Sequence, residues 1–82
     1  MYEFKIDVIN DKFETLKEDV QNGKIFVYAE WETTDLITEA TNLKPFIETE
    51  QAMNELNALI NQLNNYLEHI VSMKERNCSS AL

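Results

Sequence analysis

Apolar residues recur at spacings of three and four along the C-terminal half of the chain: Met53, Leu56, Ile60, Leu63, Leu67 and Ile70. That is the period of a helix with one apolar face. Ala52, Leu59, Tyr66 and Met73 flank this seam and widen it to about half the helix circumference, at about 100° per residue. A face so broad is more than a two-helix seam uses, and it calls for at least two neighbouring helices. Pro45 is tolerated in a first turn. Glu48 and Glu50 suit the positive end of a helix dipole, and Lys74 and Arg76 suit the negative end. The spacing therefore predicts a helix over 45–76, roughly 45 Å long at 1.5 Å per residue. No other segment is clearly long enough to cover it.

The opposite face is polar. Glu50, Asn54, Asn57, Asn61, Asn64 and Glu68 follow the same spacing. Asparagine is a poor helix former, so propensity does not account for the stripe. It reads either as a hydrogen-bonding surface or, preferably, as the composition of an AT-rich genome.

Two patterns compete in the N-terminal segment. Tyr2, Ile6, Ile9, Phe13, Leu16 and Val20 form a narrow helical stripe that stops at Asn22-Gly23, where glycine ends helices. Tyr2, Phe4, Ile6 and Val8 also alternate as a half-buried strand would, and Asp11 to Glu14 has the spacing of a capping box. A single helix over 2–22 is preferred because its register holds throughout, although it leaves Phe4 and Val8 opposite the stripe. Ile25-Phe26-Val27-Tyr28, continued by Ala29 and Trp31, has strand composition with both faces apolar. Thr33-Thr34-Asp35 offers helix caps, and Leu36 to Leu43 reads as a short helix. Pro45 disfavours helical geometry at Lys44 and places a break there. The expected fold is mainly α: a small helical domain with a long C-terminal amphipathic helix and a short extended segment near 24–31. The alternative is a small α+β domain with strands near 2–9 and 24–31. One domain is expected over 1–76, followed by a flexible tail, 77–82.

Length changes this picture. A chain of 82 residues buries only roughly 60–65% of its unfolded surface and gains from external support. Cys78 is the one cysteine and His69 the one histidine. An intrachain disulfide is therefore excluded, and a four-ligand zinc site is short of ligands. Self-association is the remaining support, so a homodimer is expected through Met53, Leu56, Leu59, Ile60, Leu63, Tyr66, Leu67 and Ile70.

Charge narrows the partners. The formal net charge is −8, and between Ile25 and Met73 eight carboxylates face one cation, Lys44. Such a surface repels nucleic acid and membranes, which require clustered Lys and Arg. Direct nucleic-acid binding and membrane association are not expected. Neither a signal-peptide core nor an apolar run of membrane-spanning length stands out, so a soluble cytoplasmic protein is expected. No nucleophile–base pair is in place, and the single glycine, Gly23, excludes a glycine-rich phosphate loop. No enzymatic activity and no cofactor or metal is expected. The aromatics Tyr28 and Trp31 read preferably as core residues, which a domain this small needs. Otherwise they read as partner contacts, of a residue class enriched at interface hot spots. The acidic Glu30, Glu32, Asp35 and Glu39 read preferably as solubilising charge and otherwise as partner contacts.

In its acidity, its Asn- and Ile-rich composition and its long C-terminal helix, the chain resembles small accessory proteins of temperate phages and mobile genetic islands of low-GC bacteria. That resemblance covers organisation only and implies stoichiometric binding that inhibits or regulates a host or viral machine. The expected function is thus a non-enzymatic protein–protein interaction module. One alternative is an acidic DNA mimic occupying a nucleic-acid enzyme, with Glu30, Glu32, Asp35, Glu39, Glu48, Glu50 and Glu55 as its charges. A second is a small assembly or scaffold adaptor.

Overall fold

A computed structural model describes residues 4–81, with side chains through Arg76. Three helices follow one another: α1 (Phe4–Gln21), α2 (Phe26–Leu43) and α3 (Glu50–Ala81). A single 3-10 turn, Lys44–Phe46, joins α2 to the loop before α3. The fold is mainly α, as expected, and there is no strand among the described residues.

α1 buries Ile6, Ile9, Phe13 and Leu16, the three-four stripe of a helix. It runs unbroken through Asp11, so the alternative of a strand followed by a capped helix does not hold; Tyr2 lies outside the described residues. Its end is set by Gly23, whose φ of 106° lies where side chains are strained. The Gly23 N–H donates to the Val20 carbonyl at 3.1 Å, and the Lys24 N–H to the Asp19 carbonyl at 2.9 Å. These two bonds make a Schellman cap and satisfy carbonyls that the helix itself leaves open. The tight turn reverses the chain and lays α2 antiparallel to α1, where Lys12 on α1 meets Glu39 on α2 at 3.4 Å.

The extended segment expected near 24–31 is corrected by the structure. Only its first residues are extended: Ile25 has φ −63° and ψ 132°, and α2 begins at Phe26. α2 then continues to Leu43, absorbing the short helix expected from Leu36. The α+β alternative, with strands near 2–9 and 24–31, fails for the same reason. The face that α2 turns inward is Ala29, Thr33, Leu36, Ala40 and Leu43. Three of these are small, and small side chains permit close approach of packed helices. Thr33 is fully buried, yet its hydroxyl donates to the Ala29 carbonyl at 2.7 Å, so no polar group is stranded.

The break before α3 also falls later than expected. Lys44 keeps helical angles, φ −49° and ψ −46°, although Pro45 follows it. Pro45 sits in the first positions of the 3-10 turn, and the chain extends only at Ile47, with φ −82° and ψ 126°. Thr49 then caps α3: its Oγ1 accepts the Ala52 N–H at 3.2 Å. The helix expected over 45–76 therefore begins at Glu50 and continues to Ala81, 32 residues in all. At 1.5 Å per residue that is about 48 Å, which accounts for the 50 Å long dimension of the molecule.

α2 packs antiparallel to α3 and is tied to it by the ion pair of Glu30 with Lys74. α1 covers the other flank of the α3 face, where Phe13 meets Tyr66 edge to face with ring centroids 5.4 Å apart. Two neighbours thus explain the breadth of the apolar stripe. Among the seam residues, Leu56, Leu59, Leu63 and Ile70 are buried inside the single chain. They offer no surface to a second copy.

Candidate partner-binding surface

The seam proposed as an oligomer interface is divided by the structure. Leu56, Leu59, Leu63 and Ile70 belong to the core. Ile60 and Tyr66 are half-buried and pack against it. Met53 and Leu67 are also half-buried. The opposite stripe, Glu50, Asn54, Asn57, Asn61, Asn64 and Glu68, is wholly exposed.

Apolar surface is concentrated elsewhere. Ile25, Val27, Tyr28 and Trp31 lie on and just before the first turns of α2, exposed by 61%, 44%, 53% and 65%. The cause is the helical register. Ala29 and Thr33 take the core-facing positions, so the aromatics one or two residues away must face outward. Alternation had read as burial on both faces; the helix sends Val27, Tyr28 and Trp31 to solvent while Ala29 stays buried. Tyr28 packs edge to face against Trp31, with centroids 6.2 Å apart and planes at 78°. This contact restricts both rings without covering them.

The acidic candidates on the same helix are mostly committed. Glu32 pairs with Lys24 at 2.7 Å, and Lys24 also lies 3.8 Å from Asp19. Glu30 pairs with Lys74, and Glu39 with Lys12. Asp35 is exposed and makes no ion pair or side-chain hydrogen bond among the described residues. Tyr28, Trp31 and Asp35 therefore share the outer side of α2, while the other three carboxylates are held by lysines of the fold.

A second apolar feature lies at the far end of α2. Phe4, Val8 and Phe46 are exposed by 60%, 43% and 52%. With Ile9 and Leu43 they line a groove of about 550 Å³, edged by Lys5 and Glu39. Phe4 and Val8 carried a signal, since they fall opposite the α1 stripe; Phe46 carried none, because a residue beside proline in a single 3-10 turn has no periodicity. Ile25 and Val27 were likewise missed as surface, since their composition is that of a strand.

No set of groups suited to metal binding occurs among the described residues. His69 is exposed beside Tyr66, with ring centroids 6.0 Å apart. The Cys78 side chain lies outside the described residues. No helix is long and apolar enough to cross a membrane, among the described residues.

Among the described residues two groups are shifted, both upward. The hydrogen bond from the Lys24 ammonium to Glu32 holds its pKa above the usual lysine value, against a smaller opposing effect of burial. Burial alone pushes the Tyr66 phenol up. Unfolding returns each to its ordinary value, so at high pH the unfolded chain gives up both protons before the folded chain does. The folded state then binds more protons, and stability falls as pH rises above about 10. Lys24 contributes fully below the unfolded lysine pKa and loses its contribution as pH passes through the folded one. The urea midpoint should therefore drop across this alkaline range, with a shallower drop in Tyr66→Phe. A wild-type midpoint that stays flat would contradict the upward shifts of Lys24 and the half-buried Tyr66.

The arrangement defines a class: a mainly α, three-helix domain with an exposed aromatic turn and an acidic exterior. No protein-family model, curated protein or solved structure matches this chain.

Proposed function

We propose that this chain is a non-enzymatic protein–protein interaction module that grips a protein partner through the exposed face of α2, and that it inhibits or regulates that partner by stoichiometric binding. The observation that carries this reading is the exposure of Trp31, at 65%, packed edge to face with Tyr28. A small domain has few large apolar groups and needs them inside. Leaving its only tryptophan outside forgoes core stabilisation that a bound partner would recover. Tryptophan and tyrosine are also the residues most often found at the energetic centre of interfaces.

The DNA-mimic reading has less behind it. Glu30, Glu32 and Glu39 are already neutralised by Lys74, Lys24 and Lys12. Carboxylates engaged in this way are poor stand-ins for a row of free phosphates. The homodimer expected through the α3 seam has less motive too, because Leu56, Leu59, Leu63 and Ile70 of that seam are already covered.

The test is affinity capture with wild type and with Trp31→Ala combined with Tyr28→Ala, the fold of each being checked by circular dichroism. A partner held by wild type should be bound at least thirtyfold more weakly by the double variant, from a hot-spot loss of about 2 kcal/mol or more. Its binding should survive high salt, because apolar burial is not screened by ions. A partner retained equally by both proteins would remove the α2 face from consideration. Steep loss of binding with salt, together with displacement of DNA from the partner, would favour the mimic.

A further inference from the structure

We infer that Trp31 and Asp35 together receive an arginine side chain, so that the partner is a basic protein segment carrying arginine next to an apolar anchor. This rests on the proposed role of the α2 face and adds the chemistry of what it binds.

Asp35 lies four residues after Trp31 on α2. Residues at that spacing are neighbours on a helix surface, with Cβ atoms about 6 Å apart. Both are exposed. Asp35 stands out among the acidic candidates of α2 because nothing within the described residues pairs with it, whereas Glu30, Glu32 and Glu39 each hold a lysine. One uncommitted carboxylate thus sits one turn from the most exposed aromatic among the described residues.

Arginine fits this pair better than any other side chain. Its planar guanidinium stacks on an aromatic face and at the same time offers a donor fork to a carboxylate. Lysine can approach either group but cannot do both with the same geometry. Tyr28, in a T-shaped contact with the indole, adds a second aromatic ring to the surface beside it. Ile25 and Val27 extend the apolar surface for the residues flanking the arginine.

Charge argues for a basic partner and against a second copy. From Glu18 to Leu43 the chain carries six carboxylates, against Lys24 from the segment itself and Lys12 and Lys74 reaching in from α1 and α3, so the face keeps a negative excess of three. Two copies meeting here would bring together molecules of formal charge −8 each, and like charge opposes the encounter. A basic segment meets attraction at the rim and apolar contact at the centre.

The probe is a displayed random-peptide library panned on the full chain, followed by affinity measurements on the selected peptides. Peptides that depend on Trp31 should contain arginine beside an apolar residue. Replacing that arginine with lysine, or using Asp35→Asn, should weaken binding by about tenfold, the scale of one charge-assisted hydrogen-bonded contact. Both positions are exposed, and circular dichroism checks that the variants stay folded. Peptides that need Trp31 but lack a basic residue, or that ignore Asp35→Asn, overturn the arginine assignment and leave the α2 docking face standing. Peptides bound equally by Trp31→Ala overturn the docking face and this assignment with it. A library from which nothing is retained counts against the assignment.

Discussion

Replacing Leu63 with aspartate unfolds the chain. Leu63 is fully buried in the middle of the α3 face. Truncating a buried leucine to alanine already costs about 2–5 kcal/mol. Aspartate adds the cost of a carboxylate taken out of water with no partner, several kcal/mol more before the group protonates or the structure opens. Against these stands a total stability of about 4–12 kcal/mol for a chain of this length. Loss of the far-ultraviolet helical signal at room temperature is the expected result. Leu63→Ala is the graded companion, folded but with a lowered thermal midpoint. Since Leu63 is covered by helices of its own chain, that midpoint should not depend on protein concentration. A midpoint that rises with concentration would mean that a second copy helps to cover the face, and would bring back the homodimer.

Phe13→Ala should cost about 3–5 kcal/mol, whereas Trp31→Ala should change stability by no more than about 0.5 kcal/mol. By size alone the tryptophan would be expected to matter more. Position reverses the order. Phe13 is 2% exposed and lies between α1 and α3. Its ring meets Tyr66 edge to face, and the Lys17 ammonium lies 4.4 Å from its centroid. Removing it opens a cavity and also forfeits an aromatic pair worth about 0.5–1.5 kcal/mol beyond area. Trp31 stands mostly in solvent with Tyr28 as its aromatic neighbour. Urea titrations of the two variants decide the matter. Equal losses at the two positions would mean that Trp31 is packed in the core, and the docking face would lose its anchor.

The contrast between these aromatics marks where linear pattern stops being informative. Phe13 belongs to a stripe that keeps one period over the whole of α1, and a period held for several turns has one structural solution. The same is true of α3, where Leu56, Leu63 and Ile70 were legible as an inward face, together with the breadth that implied two neighbours. The stop at Gly23 was legible because few other residues accept its backbone angle.

Of α2 only the second half, from Leu36, was legible as helix, and the reason the first half was not is physical. The inward face of that first half holds only Ala29 and Thr33, which contribute little to any apolar pattern. Its outward face holds Val27, Tyr28 and Trp31, which dominate any such pattern and alternate as in a strand. Local composition therefore pointed to the wrong period. The helix forms because small residues let it lie close against α1 and α3, an advantage that exists only once those helices are present. The acidic residues carry the same lesson. Their number and sign follow from the chain alone, and with them the exclusion of basic-patch chemistry. Which carboxylates remain open to a partner was decided by where Lys12, Lys24 and Lys74 fall in the fold, since an ion pair depends on distances between helices that no spacing along one helix can express.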